Sequence, residues 1–306
     1  SGLSITKWDL FSGIIPPITI NEWEFAFSLY KEIPEFQLLN SSMTLQEFKT
    51  IFWWEYVHRL LGRLIGLFFL IPLVYFSFKK MLLRKDLINF YLIFSLICFQ
   101  GFIGWYMVES GLTERTDVSH YRLSIHLTIA FIIFIFLLLN FLKFKNLGSS
   151  LVGKKLPSKL LYLFLFLLLI QISIGAFVSG LDAGKIYQTW PLMNESYFPD
   201  DSKFSEIFSL KSFETPSLVQ FIHRNVAYLI IFIFIFIFFQ IYKNENYEYL
   251  RKSALLILIA LVLQIFLGIL AVTSGAQIFI ASMHQIGSIF LITTSVILTF
   301  KNSKVN

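Results

Sequence analysis

Cysteine is nearly missing from this sequence. Cys98 is the single one in 306 residues, and it lies inside an apolar run. No intrachain disulfide can form and no cysteine-based zinc or iron–sulfur site can be built; Cys98 reads as a small core residue. Charge is scarce as well. Asp, Glu, Lys and Arg make up 14% of the chain against 56% hydrophobic residues. Several apolar stretches exceed about eighteen residues, more than a soluble core can cover. The fold class is therefore an all-α polytopic membrane protein. The net charge of +6 does not mark a nucleic-acid surface, because Lys and Arg gather in short segments between the apolar runs, where they set topology.

Seven spans are expected, at 57–78, 87–108, 119–142, 158–180, 217–241, 253–273 and 278–300. Each can cross about 30 Å of hydrocarbon at about 1.5 Å per residue. The basic connections are 79–86 (Lys79, Lys80, Arg84, Lys85), 143–157 (Lys143, Lys145, Lys154, Lys155), 242–252 (Lys243, Arg251, Lys252) and the tail from Lys301. They face the cytoplasm or its equivalent, which leaves the N-terminal segment, 109–118, 181–216 and 274–277 outside. The segment 5–55, with Pro16, Pro17, Pro34, Trp23, Phe25 and Phe27, reads as a loop folded over the bundle mouth at the membrane interface.

A weak internal repeat runs beneath this layout. EYVHRLLGRLIG from Glu55 resembles QFIHRNVAYLI from Gln220, and Gln100 and Gly104 correspond to Gln264 and Gly268. Ser1-Gly2-Leu3-Ser4 matches Ser179-Gly180-Leu181-Asp182. The second of these ends a full span, so a further span is expected before the first, giving eight in all. Two four-helix halves would then be related by a pseudo-twofold along the membrane normal. The expected division is 1–150, with its outer segment 1–55, and 151–306.

Four histidines sit in matching places. His58 and His223 each open an apolar run and are each followed by arginine, Arg59 and Arg224. His126 and His284 each lie about two turns into the second run that follows. A bilayer tolerates imidazole where it meets a cavity, a partner or a cofactor, and neutral imidazole is the usual axial ligand of heme iron. Four residues after these histidines stand Gly62, Ala130, Ala227 and Ser288, small enough to admit a porphyrin beside the ligand. Small-residue helix packing, with the histidines bonded to neighbours, is the competing reading; recurrence in two equivalent pairs favours two hemes. His120 lacks these features and reads as a loop or interface histidine. Arg59, Arg63, Arg122 and Arg224 either pair with heme propionates or snorkel toward water. Glu55 stands three residues before His58, where the second copy has Gln220. Either it gives the first half alone a carboxylate near its iron, so that this half does chemistry while the other relays electrons, or it caps a helix N-terminus.

These motifs, EYVHRLLGR (Glu55 to Arg63), YRLSIHL (Tyr121 to Leu127), SGLDAGKIYQTWPLM (Ser179 to Met193), QFIHRNVAY (Gln220 to Tyr228) and LGILAVTSG followed by HQIG at His284, together resemble the heme A synthase family of alphaproteobacteria and mitochondria. The resemblance covers nearly the whole chain. It implies conversion of heme O to heme A, with the C8 methyl group oxidised to formyl through an alcohol. It implies that His58 and His126 flank the substrate heme O, that His223 and His284 ligate a permanent heme b, and that Glu55 is the catalytic or cation-stabilising carboxylate. It also implies heme O synthase and cytochrome oxidase assembly factors as partners. The location implied is a bacterial inner membrane, or the mitochondrial inner membrane in a eukaryote, with the heme sites toward the periplasmic side. Gln188 stands where the family more often has Asn, and the loop cysteine pair of some members is absent. Two other readings are a bis-His diheme cytochrome that only transfers electrons, which would place its ligand pairs at two depths, and a heme transporter with broken helices, for which Pro72 is the one sign.

Overall fold

The computed structural model describes residues 2–7, 12–113, 115–145 and 152–305. Ser1 of the first SGL motif and the expected boundary at 150/151 lie outside the described residues. The chain is nearly all helical. Two short helices, α1 (Ile20–Tyr30) and α2 (Pro34–Leu39), precede seven long ones: α3 (Leu45–Phe78), α4 (Arg84–Leu112), α5 (His120–Phe144), α6 (Ser158–Gly180), α7 (Pro216–Lys243), α8 (Glu248–Thr273) and α9 (Ile278–Ser303). All seven are long and apolar enough to span a bilayer, and this is a multi-pass membrane protein.

The expected spans match these helices closely except at the start of α3. It begins about three turns before residue 57, because Thr44 and Glu47 form a capping box there: the Thr44 side chain accepts from Glu47 N–H, and Glu47 accepts from Thr44 N–H at 2.8 Å. Those two reciprocal bonds satisfy the first orphan amides. Glu55 therefore lies deep inside the helix and does not cap it. α3 continues unbroken through Pro72.

Within the segment 5–55, residues 20–30, 34–39 and 45–55 are helical. α1 carries its own capping box at Thr19 and Glu22, and its apolar face meets α3. Trp23, Phe27, Tyr30, Ile33, Phe48, Phe52 and Tyr56 are buried together with Leu3 and Val108. The rings of Trp23 and Phe52 meet edge to face at 5.0 Å, and those of Phe27 and Phe48 stack at 5.0 Å, arrangements worth about 0.5–1.5 kcal/mol each beyond burial. Phe25 points away and is exposed.

The chain divides into two compact units, Ser1–Ile133 and Phe134–Asn306, with the cut inside α5. In the first, α3 packs on α4 and α1, and α2 on α4. In the second, α6 packs on α7 and α9, and α8 on the same two, closing a ring of four. A 3-10 turn, Ala183–Lys185, sits on α6, α7 and α8. At the opposite end of this unit Asn302 accepts from Leu156 N–H and donates to Leu156 O, both at 2.9 Å, tying the approach of α6 to the end of α9.

Candidate functional site

His58 and His126 belong to the first unit, His223 and His284 to the second, so each sequence-predicted pair falls within one unit. Nδ1 of His126, His223 and His284 is enclosed without a hydrogen-bond partner. His58 is exposed, and a side chain at Gly62 would meet nothing within 4 Å. Among the described residues no cluster of three His, Cys, Asp or Glu could hold a metal ion. A porphyrin brings four of iron's ligands with it and asks the protein only for axial ones, so this donor set fits heme.

Each of three histidines is held by the helix before it. Gln100 on α4 donates from Nε2 to the backbone carbonyl of His126 at 3.0 Å, Gln171 on α6 to that of His223 at 3.0 Å, and Gln264 on α8 to that of His284 at 3.0 Å. Four residues on, glycine removes the Cβ that would strike the ring. A Cβ at Gly104 would lie 3.0 Å from His126 Cε1, at Gly175 3.3 Å from His223 Cε1, and at Gly268 3.1 Å from His284 Cε1. The repeat comparison finds Gln100, Gly104, Gln264 and Gly268 but misses Gln171 and Gly175, which carry the same Q-x-x-x-G spacing; that spacing ahead of each histidine was the available signal. His223 differs: its Nε2 lies 3.3 Å from Gln171 Nε2, so ligation from there requires the ring to leave the amide.

Close to these histidines in the sequence, the arginines bind backbone. Glu55 is buried, and its two oxygens are both engaged. Oε2 accepts from Ser4 Oγ at 2.6 Å and Ile5 N–H at 3.1 Å; Oε1 accepts from Arg59 Nη2 at 2.5 Å. Arg59 also donates to Ile5 O at 2.9 Å, and Arg63 to Gly13 O at 3.3 Å. In the second unit Gln220 donates to Ala183 O at 3.0 Å and Tyr187 O at 3.2 Å, while Arg224 donates to Tyr187 O, Leu192 O and Gln220 Oε1. Arg122 lies over the Tyr106 ring at 3.6 Å and donates to Tyr106 O. Each of these arginines thus donates to loop or helix carbonyls. In the segment between α6 and α7 Tyr187 donates to Asp200, and burial first, then this bond, pushes its phenol up to about 12. His120 opens α5 and is buried against Tyr121, with ring centroids 4.5 Å apart, not held in a loop.

The family model for cytochrome oxidase assembly protein matches residues 1–296 of this chain. A protein described as heme A synthase from Pelagibacter ubique is 48% identical over 308 residues, spanning 99% of this chain and 89% of its own length. Proteins of the same description from Rickettsia felis and Rickettsia bellii are 39% and 40% identical over 96% of this chain, spanning 87% and 88% of their own lengths. No solved structure matches the chain.

Proposed function

The chain belongs to the cytochrome oxidase assembly protein family, and we propose that it works as its relatives are described, as a heme A synthase that converts heme O to heme A. The reaction takes four electrons from the C8 methyl carbon and adds one oxygen atom, by way of the alcohol. His58 and His126 hold the substrate heme O, and His223 and His284 hold a resident heme b. When bound, that second heme supplies a one-electron acceptor within the same protein.

The chain's own groups do the rest. The imidazoles fix each macrocycle against a helix, with Gly62 leaving room beside His58. Glu55, one turn before His58, is ion-paired with Arg59, and a carboxylate there would favour positive charge developing at the methyl carbon. Arg59, Arg63, Arg122 and Arg224 tie down neighbouring carbonyls and would be the cations that meet heme propionates. The heme sites lie toward the periplasmic or equivalent side of an energy-transducing inner membrane; a heme O synthase supplies the substrate and oxidase assembly factors receive the product.

The observation that carries this reading is the paired arrangement of histidines, with three of the four seated by a glutamine and a glycine of the preceding helix. Mass spectrometry of hemes extracted from membranes expressing this chain with a heme O source tests it. A formylated porphyrin is expected; recovery of heme O alone would overturn the proposal.

A further inference from the structure

Glutamine is an uncommon side chain to bury in a span, because its amide needs partners that hydrocarbon does not offer. Here three such glutamines choose the same partner. Each could bond to any carbonyl on the facing helix, yet each donates at 3.0 Å to the carbonyl of a histidine. The glycine one turn later lies on the same face and faces the same imidazole at 3.0 to 3.3 Å from where its Cβ would stand. General helix packing explains glycine at a crossing, but not glutamine and glycine both aimed at histidine three times. On α9 a third element joins them: a Cβ at Gly287 would land on the Gln264 amide nitrogen, so this glycine leaves the space through which the amide reaches His284.

We infer that Gln100, Gln171 and Gln264 are positioning residues that fix the rotation and depth of the histidine-bearing helix that follows, with Gly104, Gly175 and Gly268 as seats for the imidazoles. The helix before each of these three histidines therefore takes part in seating it.

This inference rests on the heme reading of the site, and the experiment separates the two. Gln264→Met, Gly268→Ala, Gly287→Ala, Gln100→Met and His284→Ala are purified and compared with the parent by electron paramagnetic resonance, visible spectra and heme content. Methionine keeps the length of glutamine and removes the donor. Gln264→Met, Gly268→Ala and Gly287→Ala are expected to shift the low-spin g-values of the resident heme and to reduce heme retention about tenfold. Gln100→Met should leave that signature in place and lower product formation alone. If His284→Ala keeps the parent signature, the heme reading itself falls. If His284→Ala loses it while Gln264→Met and Gly268→Ala match the parent, only the positioning role falls. Failure of every glutamine and glycine variant to yield folded protein would make these residues folding elements and would also overturn the inference.

Discussion

Glu55 and Gln220 stand in matching sequences and hold matching loops, with opposite hydrogen-bonding sense. Ile5 and Ala183 occupy the same place after their SGL motifs. Glu55 accepts from the N–H of Ile5, whereas Gln220 donates to the carbonyl of Ala183. In both units the arginine one turn later binds the same side chain and a loop carbonyl. The position is a latch in both, so tethering a loop does not require an acid. What the first unit adds is a buried ion pair, whose side chains are 8% and 5% exposed. Such a pair rarely improves stability over neutral groups of similar shape; its retention in one unit alone points to the charge as the functional difference.

The largest test of that contrast is ligand removal. His284→Ala or His223→Ala should abolish the absorbance of the resident heme, while Glu55 variants should keep it; unchanged spectra in both histidine variants would refute their assignment. Next come Glu55→Ala and Glu55→Gln. If charge is what matters, both should lose about 10²-fold in heme A formation, the scale of removing one preorganised electrostatic group. Near-parent turnover in Glu55→Gln, with loss only in Glu55→Ala, would reduce the residue to a latch like Gln220.

Arg59→Ala leaves the Glu55 carboxylate buried without its ion partner and should cost about 3–5 kcal/mol in thermal or denaturant unfolding in detergent. Arg224→Ala, beside a neutral amide, should cost distinctly less; equal losses would contradict the comparison. Ser4→Ala removes one donor to Glu55 and should cost about 1 kcal/mol in the same assay. The smallest effect is alkaline. The Tyr187 phenol is raised above its unfolded value to about 12, so its contribution is present below the ordinary phenol range and is lost as pH rises through the folded value. Tyr187→Phe should flatten the pH dependence of unfolding in that window alone.

Much of this was legible without coordinates, and unevenly. Hydropathy located seven helices because every backbone group in hydrocarbon must be satisfied within its own segment, so a local pattern suffices. The histidine pairs were legible because an imidazole in such a run is costly enough to be conspicuous. The early start of α3 was also written, in Thr44 and Glu47, but the expected start followed hydropathy, and the turns before residue 57 bury their apolar face against α1 instead of lipid. Gln171 and Gly175 escaped because one glutamine and one glycine in a long apolar helix carry no meaning until a neighbouring histidine is seen beside them.

Composition and the spacing of a few polar residues settled the membrane class and the number of spanning helices, since these depend on local patterns and on the solvent around them. Tertiary structure alone decided what Glu55 and the arginines touch. The loop partners of Glu55, Arg59 and Arg63 lie about 50 residues away and those of Gln220 and Arg224 about 35, and a long side chain in a low-dielectric environment bonds to whichever backbone groups the packing of distant segments leaves within reach.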